Sequence, residues 1–214
     1  MQTRAKRALI ILFDEVDLLD LAAPIAALTR AGRRWNFRPF RIEVAAMVAG
    51  SVATRDQLRV EAPFALRAVQ PAEVVIVPGG YGARRAAEDP ELTTQVARVA
   101  QNAELVAGLG WGVVVLARAG LVGGRRVAAN PEVLPVLEAA APGAKLDASL
   151  DPVFDAPLLT ARGGGSALAV GLEIVERSFG KKLRALLESD LSLAAAERIE
   201  IVGGALAAFP KSDG

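Results

Sequence analysis

The chain has 214 residues, with 25 Lys and Arg, 24 Asp and Glu, no His and no Cys. Without Cys or His it has no thiolate nucleophile, no disulfide, no imidazole base and no ordinary structural zinc site. Any catalytic group must therefore be a carboxylate, a hydroxyl, a Lys, an Arg or a backbone amide, and any bound metal must be a hard cation held by oxygen. The net charge of +1 gives no general attraction to nucleic acid or to anionic lipid, so we expect neither partner.

Hydrophobic residues make up 52% of the chain and aromatic residues only 5%, which predicts a core of mainly Ala, Val, Leu and Ile. The longest apolar run, residues 105–117, is shorter than the roughly 18 residues of a membrane span. The apolar run at residues 8–13 ends at Asp14 and is too short for a signal peptide core of roughly 7–15 residues. We therefore expect a buried first strand and a cytoplasmic protein.

Short apolar runs alternate with helical patterns, which predicts a single α/β domain with a mostly parallel sheet between two layers of helices. The predicted strands are residues 8–13, 40–49, 73–77, 105–110, 153–154 and 158–160. The predicted helices are residues 18–32, 90–101, 111–119, 131–139, 167–179 and 182–196. Residues 59–61 indicate a hairpin or an edge strand, and Pro24 lies either near the first turn of its helix or at a kink. The domain is expected to span residues 1–198, with a tail at residues 199–214.

Several segments carry a family resemblance: residues 18–24 (LLDLAAP), 77–80 (VPGG), 116–125 (LARAGLVGGR) and 159–163 (LTARG). In this order they resemble the ThiJ/PfpI superfamily, especially isonitrile-hydratase-like members and the sensor domains of AraC-type regulators. The resemblance covers about residues 7–196. It implies a flavodoxin-like, class I glutamine-amidotransferase-like fold, and a homodimer with the pocket near the subunit interface. About 18 residues follow, too few for the helix-turn-helix reader of an AraC-type regulator.

The same resemblance assigns the functional positions of the family to residues of this chain. The nucleophilic cysteine maps to Gly110, and its small hydroxyl neighbour maps to Trp111. The family's histidine maps to Asn130, whereas the acidic residue that contacts the cysteine is retained as Asp20. The amides that would stabilise an oxyanion map to Gly80 and Trp111.

A glycine at position 110 offers no atom that can attack an electrophile, and attack requires a separation of about 3–3.5 Å. Ser51, Thr54, Ser149 and Ser166 are expected elsewhere in the topology, and no imidazole exists to activate them. We therefore expect a degenerate site without the covalent chemistry of the family, and we assign no catalytic residue and no cofactor.

Two acidic features leave alternatives open. Asp20 is either a lone general base with a raised pKa, or a helix cap or remnant that hydrogen-bonds to backbone amides. Asp14, Glu15 and Asp17 lie on the same turn, where they either hold a divalent cation or are solvated loop residues. The solvated loop is the more common outcome for such a cluster.

Three further features each have a binding and a structural interpretation. The loop at Gly79 and Gly80 either presents amides to an anion or makes a tight turn. Trp111 is either a stacking platform for a planar ligand or a plug that fills the space of the lost cysteine. Residues 163–165 (GGG) lack the spacing of a phosphate-binding loop, so we expect a simple connection from strand to helix.

Together these points favour a non-catalytic member of an intracellular protease/amidase-like family, a pseudoenzyme that binds a small molecule or a partner. Its pocket is expected to be bounded by Asp20, Gly79, Gly80, Gly110, Trp111 and Asn130. The alternative is a cofactor-independent hydratase, hydro-lyase or amidase with Asp20 as general base. A third hypothesis is a structural subunit in a complex with an active paralogue.

Overall fold

The centre of the molecule is a seven-stranded sheet built from the short apolar runs of the chain. A computed structural model describes residues 4–33 and 37–191. The strands are β1 (Lys6–Leu12), β2 (Phe40–Ala46), β3 (Gly50–Ala53), β4 (Arg59–Ala62), β5 (Phe64–Ala65), β6 (Val74–Val77), β7 (Leu105–Leu109), β8 (Arg126–Val127), β9 (Lys145–Leu146), β10 (Val153–Asp155) and β11 (Leu158–Ala161). The main sheet has the order β10-β11-β7-β6-β1-β2-β5, and only β10 runs antiparallel to its neighbour.

Helices cover both faces of this sheet. They are α1 (Leu18–Arg30), α2 (Gly82–Glu88), α3 (Pro90–Ala100), α4 (Gly112–Arg118), α5 (Leu134–Ala140), α6 (Ala167–Phe179) and α7 (Lys181–Asp190). Helices α1, α6 and α7 pack together on one face, and α2, α3, α4 and α5 pack together on the other. Every residue of β6 and β7 is buried as a result, which is typical of central parallel strands. The predicted mostly parallel α/β fold is confirmed, and its core consists mainly of Ala, Val, Leu and Ile.

Several predicted boundaries were wrong. Strand β2 ends at Ala46 rather than at residue 49, because residues 47–49 bend before β3 begins. Of the two positions considered for Pro24, the first turn was wrong, because Pro24 lies further inside α1 and its missing N–H falls in the body of the helix. The predicted helix at residues 131–139 is a 3₁₀ turn, Pro131–Val133, followed by α5.

Other elements gave weak sequence signals. The segment at residues 59–61 is β4, which forms a hairpin with β3 as a separate two-stranded sheet. Helix α2 and the short strands β3, β5, β8 and β9 were not predicted. The predicted helix at residues 182–196 corresponds to α7, and its last residues, like the tail at 199–214, lie outside the described part of the chain. Within residues 4–33 and 37–191, no helix combines the length and the apolar character that a membrane crossing requires.

Candidate functional site

Four loops meet at the carboxyl edge of the parallel strands and enclose a crevice. They follow β1, β6, β7 and β11, which lie side by side in the sheet, and ligands in open α/β sheets bind at this edge. The crevice has a volume of about 250 Å³. Its lining residues are Asp17, Asp20, Arg55, Gly80, Tyr81, Gly110, Trp111, Asn130, Glu132, Arg162, Gly163 and Gly164.

Gly110 occupies the sharp turn between β7 and α4. Its φ of +51° lies in the left-handed region, where a side chain is strained. A Cβ built on Gly110 would lie 3.7 Å from Asp20 Oδ2 and 3.3 Å from the carbonyl oxygen of Arg162. A side chain at position 110 would therefore begin next to the Asp20 carboxylate.

The Asp20 carboxylate is buried, with 2% of the residue exposed, and both of its oxygens accept backbone hydrogen bonds. The Gly79 amide donates to Oδ2 at 3.0 Å, and the Gly164 amide donates to Oδ1 at 2.5 Å. A Cβ at Gly79 or Gly163 would lie 2.6 or 2.7 Å from Oδ2, so only glycine allows this close approach. Asp20 thus joins the loop after β6 to the loop after β11.

Burial controls the charge state of Asp20. Desolvation raises the pKa of its carboxyl group from 3.8 to about 6, and the nearby charge of Asp17 acts in the same direction. The amides of Gly164 and Gly79 and the charge of Arg55 oppose this effect without cancelling it. Asp20 is therefore an acid with an unusually high pKa, held at the base of an open crevice.

The interpretation of Asp20 as a helix cap was wrong, because Asp17 caps α1. The Asp17 carboxylate accepts the amides of Leu19 at 2.9 Å and Asp20 at 3.3 Å, and it also pairs with Arg55 at 3.2 Å. The alternative interpretation, that Asp20 hydrogen-bonds to backbone amides, is confirmed.

The other acidic residues of this turn have partners of their own. Asp14 accepts the Ala53 amide at 3.3 Å, and Glu15 pairs with Arg85 at 2.7 Å. No group of three potential metal ligands occurs among residues 4–33 and 37–191. The structure thus provides no set of side chains for the divalent cation considered from the sequence.

Trp111 lies half-buried between the core and the crevice. It packs against the buried cluster, and the Arg84 guanidinium lies 5.8 Å from its ring centroid. The crevice stays open beside it, so the indole does not fill the whole space next to Gly110. Within the described chain, neither the Trp111 amide nor the Gly80 amide donates a hydrogen bond.

The structure brings together most of the residues that the sequence predicted. Asp20, Gly80, Gly110, Trp111 and Asn130 all line the crevice, whereas Gly79 contributes through its hydrogen bond to Asp20. The Asn130 side chain donates through Nδ2 to the carbonyl oxygen of Arg162 at 2.9 Å.

Other lining residues were missed from the sequence: Asp17, Arg55, Tyr81, Glu132, Arg162, Gly163 and Gly164. Of these, Asp17 was considered only as a cation ligand or a solvated loop residue, and the glycine run at residues 163–165 was assigned to a connection. The four hydroxyl residues that were set aside, Ser51, Thr54, Ser149 and Ser166, do not line the crevice.

Comparison with solved structures supports the fold. DJ-1beta of Drosophila melanogaster superimposes with a TM-score of 0.77 at 23% identity, over 88% of this chain and 98% of the Drosophila chain. A ThiJ/PfpI family protein from Pseudomonas syringae gives 0.78 at 17% identity, over 95% and 88%. An AraC family transcriptional regulator from Pseudomonas putida gives 0.75 at 20% identity, over 87% of this chain and 99% of that chain.

Sequence comparison gives the family. The HTH-type transcriptional regulator CdhR of Pseudomonas aeruginosa is 25% identical over 154 residues, or 72% of this chain. The match spans 45% of the regulator, so the chain corresponds to less than half of that relative. Residues 6–177 match the model of the DJ-1/PfpI family, which is more than half of the chain. The chain therefore belongs to the DJ-1/PfpI family.

Proposed function

We propose that this chain is a non-catalytic member of the DJ-1/PfpI family that binds a small polar molecule in the crevice at the carboxyl edge of the sheet. The observation that carries the proposal is Gly110. It occupies a left-handed turn whose missing side chain would project towards Asp20, beside an open cavity. An open crevice beside a position that has no side chain supports binding rather than covalent catalysis.

The size and lining of the crevice support a small ligand. Its volume of about 250 Å³ is below the roughly 300–1,000 Å³ typical of pockets for drug-sized molecules. Charged groups, two aromatic rings and glycine amides share its lining, a combination that suits a compact polar metabolite. The similarity to two transcriptional regulators is consistent with a ligand-sensing role for such a domain.

A second candidate is a hydratase, hydro-lyase or amidase in which Asp20 acts as general base. The raised pKa of Asp20, about 6, favours it, since a base works best when its pKa is near the working pH. Against it, both carboxylate oxygens are engaged by backbone amides, and the chain has no His or Cys that could serve as the partner acid or base.

The assembly is also a proposal. A homodimer follows from the family resemblance, as does the division into a domain at residues 1–198 and a tail at 199–214. A complex with an active paralogue is the third hypothesis, and co-purification followed by mass measurement distinguishes it from a homodimer.

Activity assays separate the first two candidates. The purified chain and its Asp20→Asn variant are incubated with isonitriles, α-oxoaldehydes and chromogenic amides. We expect no turnover above the buffer rate for either protein. Turnover by the natural chain that disappears in the variant would establish the enzyme and overturn our proposal.

A cysteine variant tests whether position 110 opens into the crevice. Because the chain contains no Cys, Gly110→Cys introduces its only thiol. We expect iodoacetamide to alkylate this thiol in the folded protein, with Gly123→Cys, at a position with no neighbour within 4 Å, as the exposed control. A thiol at position 110 that reacts only after unfolding would show a closed site and contradict the binding proposal.

A further inference from the structure

The guanidinium of Arg55 lies at the crevice and belongs to a part of the chain that sequence analysis did not connect with the site. Arg55 is in the turn between β3 and β4, and it lines the cavity together with Asp20, Gly80 and Gly110. Its side chain is 36% exposed, so solvent and small molecules can reach it.

Two side-chain contacts hold this guanidinium, and a backbone hydrogen bond fixes the turn that carries it. Nη1 of Arg55 donates to Asp17 Oδ2 at 3.2 Å, and the guanidinium carbon lies 4.3 Å from the ring centroid of Tyr81. The Arg55 backbone amide donates to the carbonyl oxygen of Val16 at 3.0 Å. Because its position is fixed before any ligand arrives, little side-chain entropy is lost on binding.

Most donors of this group are unused. A guanidinium has five N–H donors, and within the described chain Arg55 uses one of them, towards Asp17. Gly80 and Trp111 line the same cavity, and within the described chain their backbone amides donate no hydrogen bond. The crevice thus holds a surplus of hydrogen-bond donors around a fixed positive charge.

The negative groups of the crevice are mostly satisfied by the protein itself. Asp17 accepts two amides and Arg55, and Asp20 accepts the amides of Gly79 and Gly164. Glu132 is exposed at the rim, and Nη2 of Arg162, another lining residue, donates to the carbonyl oxygen of Ala148 at 2.7 Å. A ligand carboxylate would therefore meet the unused donors and the positive charge of Arg55, opposed by the charges of Asp17, Glu132 and the ionised form of Asp20.

We propose that the crevice binds a small carboxylate and that Arg55 determines this specificity through a two-point contact between its guanidinium and the two carboxylate oxygens. The planar guanidinium matches a carboxylate in geometry, which a lysine ammonium does not. The small cavity restricts the ligand to a compact acid. This inference rests on the proposed binding function and names its ligand class.

The test is a titration followed by two-dimensional ¹⁵N NMR, which detects weak binding at individual amides. The probes are acetate, pyruvate and benzoate, each paired with its neutral amide, at pH 7 and constant ionic strength. We expect a carboxylate to shift the signals of Gly80 and Trp111, and its matched amide to bind at least tenfold more weakly.

Three variants identify the responsible side chain. Arg55→Gln should weaken carboxylate binding by about 10- to 100-fold, the range of a lost charge-assisted hydrogen bond. Arg55→Lys keeps the charge and loses the planar group, so it should give an intermediate loss. Arg59→Gln is the control, because Arg59 lies on the same hairpin, bonds to Ser51 and does not line the crevice.

Each outcome decides one of the two proposals. Equal carboxylate binding by the natural chain and Arg55→Gln, or equal binding of acids and amides, overturns the role of Arg55 and leaves the binding function standing. If no acid or amide shifts the crevice signals, but a broader set of neutral and cationic metabolites does, the carboxylate class is wrong. If none of these molecules binds, the proposed function itself fails.

Discussion

The carboxyl group of Asp20 is subject to two opposing effects. Burial disfavours its charged form, whereas the amides of Gly79 and Gly164 favour it, and the raised pKa shows that burial is the larger effect. The fold therefore holds the Asp20 carboxyl group in a position where its ionised form is less stable than in water. The consequence can be measured as a dependence of stability on pH.

We expect the stabilising contribution of Asp20 to decrease as the pH rises from 3.8 to about 6. In this range the folded state binds more protons at Asp20 than the unfolded state, so the free energy of unfolding decreases with pH. The contribution is fully present below pH 3.8 and is lost above the folded-state pKa of about 6.

Denaturant unfolding of the natural chain and Asp20→Asn between about pH 3 and about pH 8, a range that extends beyond both pKa values, measures this effect. The stability difference, natural chain minus variant, should decrease through the window and then stay constant. Because Glu73, whose pKa is lowered, titrates in both proteins, its effect cancels in the difference. A difference that is flat, or that increases with pH, would contradict the assignment.

We expect the backbone conformation at position 110 to require a glycine, because its φ of +51° is positive. A residue with a Cβ in the left-handed region costs roughly 1–2 kcal/mol, so Gly110→Ala should destabilise the fold by about that amount. Gly123→Ala is the control, because its Cβ has no neighbour within 4 Å and its φ is not positive. Chemical denaturation of both variants checks this, and an equal effect of the two would show that the turn relaxes.

At this scale the sequence predicted residues that lie in the turns and helix starts after the central strands, and it missed Arg55, which a hairpin supplies. Asp20, Gly80 and Gly110 follow apolar runs that identify their strands, and the family resemblance identified their positions. Arg55 had no comparable signal, because its place at the crevice depends on how a hairpin folds back onto α1. That contact joins residues far apart in the chain, and no local pattern encodes it.

At the scale of the element, an aspartate side chain caps the first turn of two helices, α1 and α3. Asp17 caps α1 and Asp89 caps α3, and each accepts two amides of the first turn. The two caps differ in one respect, since Asp17 also pairs with Arg55. They therefore form a natural pair for comparison.

We expect Asp89→Ala to destabilise the protein by about 1 kcal/mol, the typical value for a lost helix cap. Asp17→Ala should destabilise it by at least as much, because it also releases the Arg55 guanidinium, and the side-chain NMR signal of Arg55 should move. Thermal or urea unfolding gives both free energies. A smaller effect at Asp17 than at Asp89 would show that the Arg55 pair contributes nothing to stability.

Length and composition decided which elements could be predicted. The central strands and α1, α3, α4 and α6 combine apolar runs with flanking Gly, Pro or Asp residues. Helix α2 was missed because it has seven residues, begins with glycine and buries only Gly and Ala on its inner face. The strands β8 and β9 have two residues each, and their pairing arises from tertiary contacts rather than from local preference.

The whole molecule combines a deeply buried sheet with shallow additions at its carboxyl edge. All residues of β6 and β7, and β1 from Ala8 onwards, are buried, whereas three of the four residues in each strand of the β3–β4 hairpin are exposed or half-buried. The hairpin carries the turn that places Arg55 at the crevice. The candidate site thus has two supports: the buried central strands carry Gly80 and Gly110, and the more exposed β3–β4 hairpin carries Arg55.

This arrangement predicts two classes of amide in native-state hydrogen exchange. Amides of β6 and β7 should exchange only through global unfolding, and those of β3 and β4 through local opening at lower free energy.

Ile76→Ala, at a position with no exposed area, should lower the global stability by about 2–5 kcal/mol. It should accelerate exchange in β6 and β7 by the matching factor and leave the hairpin unchanged. Val60→Ala, on the half-buried face of β4, is the reciprocal control and should accelerate exchange mainly within the hairpin. Equal acceleration of both classes by either variant would mean that the hairpin opens only with the core, and that Arg55 is held as rigidly as the sheet itself.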